Sequence, residues 1–505
     1  MSLASPCAVC EQQAAWSDPV GSFAPTSPSD TQLSEKPTQR VRIALFFDGT
    51  MNNKTNTKAR QAGVLPDNIW KAETSEKVSY LNDLSNVARM YDASPNTKGY
   101  KDSSGVTKAY TQFTPIYIEG IGTENLEPPE AGKTWKGPTD STKTGGAFGT
   151  GSTGIVDRVR KGIDQAITKI KSGGLTPEFD YIHFDVFGFS RGAAGARHCI
   201  HALHSGWAIG DYYFPGTKSR LEMADAKIGD LKVRFAGLYD TVASLGVIHI
   251  NDTWELSLDA VSQADQVMHI AAAEEHRVNF RLTSIGSGLD ADDLGAGSFE
   301  VFLPGVHCDI GGSYNSPTPQ SAGEEKLVFW RESVSGIFPT RSEQDRQKEE
   351  YDWLINQGWC SGPENLIKMG KIDSFPGKTF YVAGIRAGRI NEYCLIPLGM
   401  MIEYSNEQGL MFSNNHSVSD SYLRDWQTKL KNYAKNKRAS GGSKPEDWFH
   451  RTDQDLPTLR AKYLHFSAYY NDLSEAATWT SAAVDLMLEP MAPEYNGRRR
   501  ARKIQ

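Results

Sequence analysis

Cysteine is sparse in this chain, six in 505 residues, at positions 7, 10, 199, 308, 360 and 394. That spacing supplies no disulfide framework, and Cys7 and Cys10 form a C-x-x-C without the second pair a zinc finger needs. The N-terminus, MSLASPCAVCEQQ, lacks both the basic n-region and the apolar h-region of a Sec signal. No apolar run approaches the length of a membrane span, the longest being Cys394–Ile402. The net charge of −7 removes the overall basicity that would suggest a nucleic-acid partner. The expected product is soluble when made in the cytoplasm, and any action outside the cell requires a carrier other than Sec.

What is present suffices for a large core: 39% hydrophobic and 10% aromatic residues. Residues 1–40, rich in Ser, Pro, Thr and Gln, read as a flexible arm. Val41–Phe47 is an apolar run ending in Asp48-Gly49-Thr50, the pattern of a buried parallel strand and a polar turn. Residues 79–92 show helical spacing, PIYIE (115–119) reads as a strand, and Ile155, Val159, Ile163, Ile167 and Ile170 mark another helix. Strands follow at 181–189, 232–239 and 298–303, with a helix expected near 262–280 and others at 342–357 and 418–436. Short apolar runs stand at 379–385 and 462–470. Strands alternating with helices predict a mostly parallel sheet covered on both faces, a three-layer α/β sandwich.

The stretch YIHFDVFGFSRGAAGA (181–196) organises the rest. Period-2 alternation gives way to small residues at Gly188-Phe189-Ser190-Arg191-Gly192, a G-x-S-x-G nucleophile elbow. A serine on so sharp a strand-to-helix turn requires neighbours two positions away without a Cβ, hence Gly188 and Gly192. The bland alternative is a helix-capping serine in a tight connection. In a doubly wound sheet, reactive groups gather at the carboxyl ends of strands. Four such ends carry polar residues: Asp48-Gly49-Thr50, Ser190, Asp240 and His307. The order Ser190, Asp240, His307 is that of α/β-hydrolases. Ser190 then attacks an ester carbonyl, His307 shuttles its proton, and Asp240 fixes the imidazole tautomer. The oxyanion is met by the N–H of Arg191 and by that of Gly49 or Thr50. Asp309 is the rival acid, disfavoured because it lies two positions beyond the histidine and is better placed to steady the loop.

Other signals are weaker. The G-x-G-x-x-G at 149–154 has no strand before it, and Gly132-Lys133-Thr134 lacks the upstream P-loop glycine, position 127 being Glu127. Asp48 as a phosphatase-type nucleophile lacks a second aspartate, and Asp185 reads as a strand residue facing a helix. Asp290, Asp292 and Asp293 read as a solvated loop, with calcium as the sharper alternative. No metal or cofactor is expected. Arg498, Arg499, Arg500, Arg502 and Lys503 form a basic tail, solvated or drawn to an acidic surface. The apolar segments 207–215, 395–401 and 409–412 are either ordinary core or an acyl groove and bilayer contact.

FFDGTMNN (46–53), GGAFGTG (145–151), GFSRGAAGAR (188–197), GLYDTV (237–242) and GVHCDIGGSY (305–314) together resemble the bacterial type VI secretion phospholipase effectors of the first lipase-effector class. IPLGMM (396–401) and LRAKYLHFSAYY (459–470) extend the resemblance over about 41–470. It implies an α/β-hydrolase-like core at 41–320, and the chain is read as continuing with remaining core strands and helical cap or membrane-facing insertions at 321–490; the first 40 residues and the basic tail at 491–505 match nothing in the family. It maps the family's triad onto Ser190, Asp240 and His307. It further implies a phospholipase A acting on membrane glycerophospholipids in a rival cell's periplasm, a VgrG-type spike as carrier and a cognate immunity protein. A serine esterase on a soluble or polysaccharide ester and a non-enzymatic cargo module are the alternatives.

Overall fold

The computed structural model describes residues 39–468, apart from 96–98, 102–106, 142–153, 173–177, 210–211, 244–255, 278–279, 287–288, 290–292, 316–324, 336–340, 364, 375–376, 441 and 450–454. The arm up to residue 38, Cys7, Cys10, the glycine-rich stretch to Thr153, Asp290, Asp292 and the basic tail lie outside the described residues. Along the chain run β1 (Gln39–Phe47), α1 (Asn86–Asp92), β2 (Gln112–Ile118), α2 (Ile155–Ser172), β3 (Glu178–Phe189), α3 (Arg191–His204), β4 (Lys227–Tyr239), β5 (Ala264–Ala272), β6 (Phe299–Leu303) and α4 (His307–Gly311). The six strands form one sheet in the order β6-β5-β4-β3-β1-β2, and every neighbouring pair is parallel. The winding leaves β1 for β2, crosses back to β3 and then proceeds to the far edge. β1 and β3 therefore flank the point where the direction reverses, the usual place for a ligand site. Pro115, which lacks a ladder N–H, sits on the edge strand β2.

Alternate residues of each central strand serve opposite layers. Val41, Ile43, Leu45 and Phe47 of β1 pack with Val159, Ile163 and Ile167 of α2 and Ala196 and Ile200 of α3. Ala44 and Phe46 face the other way, toward Val87 and Met90 of α1 and the apolar side chains of α6 (Leu395–Glu407) and α7 (Ser421–Ala439). Both faces are thus covered by helices, and the strands read as near-continuous apolar runs for that reason. Between β6 and α6 the chain builds β7 (Glu325–Ser335), α5 (Arg341–Asn356), β8 (Asn365–Ser374) and β9 (Gly377–Arg386). These three strands form a separate antiparallel sheet, order β7-β9-β8, instead of extending the parallel one. A last helix, α8 (Leu456–Lys462), follows α7.

Two expectations fail for identifiable reasons. The helix expected over 79–92 is broken into Val78–Leu81 and α1. Residues between them bond elsewhere: Asp83 N–H donates to Ser313 O at 2.9 Å, Ser313 N–H to Leu84 O at 3.2 Å, and the Ser85 hydroxyl caps α1. The helix expected near 262–280 is strand β5, preceded by a 3₁₀ turn at Leu258–Gln263. Its Val267, Met268, Ile270, Ala271 and Ala272 are buried between β4 and β6, so no period of two survives and the alanines imitate a helix. Asp185 answers Arg42 on the adjacent strand, with bonds of 2.6 and 3.0 Å, and Arg42 also reaches Gly409 O.

The apolar segment 395–401 is core, since Ile396, Leu398, Met400 and Met401 are buried. Leu410 and Phe412 are buried too, leaving Met411 at the surface. Trp207–Ile209 pairs with Tyr212–Phe214 as a short hairpin whose side chains lie outside the described set. Among the described residues no helix is long and apolar enough to cross a membrane.

Candidate active site

The turn between β3 and α3 is built as its glycines require. A Cβ on Gly188 would lie 2.5 Å from the Ala193 Cα, and one on Gly192 would lie 2.3 Å from Asp48 O and 2.4 Å from Phe47 O. Only bare backbone lets α3 approach the end of β1 so closely. Between them Ser190 adopts φ 60° and ψ −130°, a region that costs a non-glycine residue about 1–3 kcal/mol. The Ser190 hydroxyl makes no capping bond to α3, so the capping alternative does not explain the serine. Its backbone is locked to the next strand end: Ser190 N–H donates to Tyr239 O at 3.0 Å, and Val242 N–H to Ser190 O at 3.3 Å.

Tyr239 ends β4, and Asp240 follows at φ 45°, fully buried. One Asp240 oxygen accepts the Ala272 N–H at 2.7 Å and the other meets Nδ1 of His307 at 2.5 Å. A carboxylate there makes Nδ1 the protonated nitrogen and leaves Nε2 as the basic one. The His307 ring lies 4.6 Å from the Phe189 ring and 5.0 Å, edge-on, from Phe280. Burial lowers the His307 pKa below its ordinary 6.5, against the opposing pull of Asp240, so the imidazole is neutral at pH 7 and able to take a proton. Of the three residues singled out from the sequence, Asp240 and His307 are bonded to each other, and Ser190 is tied to them through neighbours: its backbone bonds to the strand end carrying Asp240, and Phe189 packs on the His307 ring.

Asp309 is occupied elsewhere. Its Oδ2 accepts the N–H groups of Val306 and His465, each at 3.0 Å, and its Oδ1 accepts from His465 Nδ1 at 2.7 Å. It steadies the histidine loop and is not the partner of the His307 ring. Behind Asp240, Thr241 N–H donates to His269 Nε2 at 3.0 Å, and His269 Nδ1 to Glu300 at 2.6 Å. Glu300 also accepts from the Ser284 hydroxyl and Ile285 N–H. Arg197 of α3, fully buried, donates to the carbonyls of Thr283 and Ser284, tying the elbow helix to the same loop. Sequence reasoning does not single out His269 and Glu300. Their signal is polar residues alternating within β5 and β6, and it is invisible while β5 reads as a helix.

The backbone donors expected at an oxyanion are unequal. Arg191 is the first residue of α3, so its N–H lies outside the helix's own bonding. Gly49 N–H is spent on the Asp48 side chain at 2.7 Å. In the same turn the Thr50 hydroxyl oxygen is buried without a hydrogen-bond partner. Asp48 accepts a second bond from the Tyr117 hydroxyl at 2.6 Å, and Tyr117 in turn accepts from Lys54 N–H.

Burial pushes the Asp48 pKa up from 3.8 to about 6. Because the folded pKa exceeds the unfolded one, the native state is favoured by the proton, and that advantage fades as pH rises through 6. Asp48→Asn, neutral at every pH, is expected to gain up to about 3 kcal/mol over the parent between pH 4 and pH 8. Paired melting curves across that range would test it; a variant-minus-parent difference that stays flat would rule the shift out.

Among the described residues no group of three or more His, Cys, Asp or Glu side chains is arranged to hold a metal ion. Residues 215–332, which include Asp240 and His307, match the model of the catalytic domain of Tle1-like type VI secretion phospholipase effectors, in agreement with the resemblance carried by the motifs. No curated protein matches the chain by sequence. The solved structure of the Tle1 effector bound to the VgrG spike of the type VI secretion system is 22% identical, with a TM-score of 0.56, over 95% of this chain and 98% of that one. At that identity the likeness establishes the fold, an α/β-hydrolase-like one. An uncharacterized protein from Pseudomonas aeruginosa is 16% identical with a TM-score of 0.36, over 81% of this chain and 52% of that chain.

Proposed function

We propose that this chain, with a Tle1-like catalytic-domain match over 215–332 and the fold of a Tle1 effector, is an antibacterial phospholipase A that hydrolyses acyl esters of membrane glycerophospholipids. The observation that carries the reading is the junction just described: a serine in strained elbow geometry with its hydroxyl free of capping, beside a buried Asp240–His307 pair. Ser190 Oγ attacks the ester carbonyl carbon while His307 Nε2 takes its proton. The negative charge on the carbonyl oxygen is met by the N–H of Arg191 and by that of Thr50, with Gly49 joining when Asp48 releases it. Collapse breaks the bond to the lysophospholipid oxygen, which leaves with the proton from His307. Water then loses a proton to His307, adds to the acyl-serine and releases the fatty acid, and the proton returns to Ser190. Asp240 stabilises the imidazolium in both halves.

The reading includes delivery on a VgrG-type spike, action at the target cell's membrane from its periplasm, and inhibition by a cognate immunity protein. Purified protein incubated with phosphatidylethanolamine/phosphatidylglycerol liposomes is expected to release free fatty acid and lysophospholipid, read by mass spectrometry, and the product mixture identifies which ester is cut. Turnover confined to a short soluble ester would replace the lipid substrate with a soluble one. Silence with both substrates would leave the cargo-module reading.

A further inference from the structure

The loop carrying His307 has an unusual underside. Its three successive backbone N–H groups each donate to a different buried carboxylate: Gly305 to Glu274, Val306 to Asp309 and His307 to Glu275, all at 3.0 Å. The three acids are at most 2% exposed. Carboxylates so deeply buried require compensation, and each has its own partner. Glu275 is bound by Arg277 at 2.9 and 3.0 Å, close by in sequence. The other two partners come from the far end of the chain. Arg460 Nε donates to Glu274 at 2.8 Å, and His465 gives Asp309 both its backbone N–H and Nδ1.

The donor segment is itself anchored. Arg460 is 1% exposed, and it also donates to Gln357 O and Trp448 O. Arg386 of β9 donates to the carbonyls of Arg460 and Leu464. The His465 ring stacks on Tyr314 at 3.9 Å. Gly305, at φ 107°, has no room for a Cβ: one would lie 2.9 Å from the Asp309 Cβ and 3.3 Å from Leu464.

We infer that Arg460 and His465 are positioning residues for the catalytic histidine, acting through Glu274 and Asp309 on the Gly305–His307 backbone. The inference rests on the reading of His307 as the base. The physical ground is leverage: the imidazole is fixed at its far nitrogen by Asp240 and at its backbone by these carboxylates, so slack in the loop shifts Nε2 relative to Ser190. A misplacement of about 1 Å costs roughly a hundredfold in rate. The segment from α8 to Phe466 is therefore a working part of the active site, although it lies more than 150 residues from the loop it serves.

The test is the rate at which a fluorophosphonate labels Ser190, measured beside kcat and KM on a soluble ester. His465→Phe keeps the ring on Tyr314 and removes the Nδ1–H. It is expected to slow labelling and kcat together by roughly thirtyfold to a hundredfold, with KM unchanged and the melting profile close to the parent's. His465→Asn, which restores an N–H donor near the Nδ1 position, is expected to recover most of the loss. Labelling of a folded His465→Phe at the parent's rate would overturn the inference, as would a loss that Asn does not relieve. If His465→Phe does not fold, Arg460→Lys takes its place, since it keeps the charge on Glu274 but not the Nε geometry. The same slowing of labelling and kcat is then expected, and labelling at the parent's rate would again overturn the inference. Failure of the underlying reading looks different: the parent itself would go unlabelled, or His307→Ala would be labelled as fast as the parent.

Discussion

Ser190→Ala is expected to reduce lipid hydrolysis by about six orders of magnitude, the scale on which loss of a serine nucleophile acts, while the protein folds and melts as before. The structural half of this expectation follows from the elbow. The Ser190 hydroxyl caps nothing in α3, and the backbone bonds to Tyr239 and Val242 survive the change. Ser190→Gly sharpens the test, because it removes the same hydroxyl and also releases the positive-φ cost of about 1–3 kcal/mol. It should be equally inactive and more stable. The measurement is fatty-acid release alongside thermal melting for all three proteins. Turnover by the alanine variant within tenfold of the parent's would remove Ser190 as the nucleophile.

Asp240→Asn is expected to cost about four orders of magnitude in kcat, and the geometry specifies how. The Ala272 N–H donates to one oxygen of Asp240 at 2.7 Å, so an asparagine there keeps its carbonyl oxygen toward Ala272 and turns its amide N–H toward His307. Nδ1 must then accept, the ring proton moves to Nε2, and the nitrogen that should take the serine proton is blocked. Asp309→Asn disturbs the loop without touching the ring tautomer, so its cost is expected to be smaller, roughly a hundredfold or less. Steady-state kinetics on one soluble ester compares the two directly. If the Asp309 variant is the slower enzyme, the acid has been misassigned.

Much of the fold is legible in local pattern. β1, β3, β4 and β6 stand out as apolar runs stopping at polar residues, and α2 as isoleucines and valine on one stripe, because a strand buried on both faces and a helix buried on one each leave a periodic trace. β5 leaves none. Buried alanines beside His269 satisfy a helix as well as a strand, and only its place between β4 and β6 decides. The same ambiguity hides Glu274 and Glu275, which look like helix surface and are in fact the buried carboxylates under the histidine loop. The break at Asn82–Ser85 is hidden for a related reason, since the backbone groups of Asp83 and Leu84 bond to Ser313, more than two hundred residues further along the chain.

The sequence by itself determined the turn that carries Ser190. Gly188, Ser190 and Gly192 are dictated by contacts within a few residues and with the strand end just beside them, so sterics wrote the site into the local pattern. It also placed Asp240 and His307 at strand ends, where a parallel sheet gathers its reactive groups. Which carboxylate holds His307, and which side chains from the end of the chain compensate Glu274 and Asp309, were decided only by the tertiary structure. Those answers depend on hydrogen bonds between residues 67, 156 and 186 positions apart. A buried carboxylate takes whichever donor the fold brings to it, and no spacing along the chain records that choice.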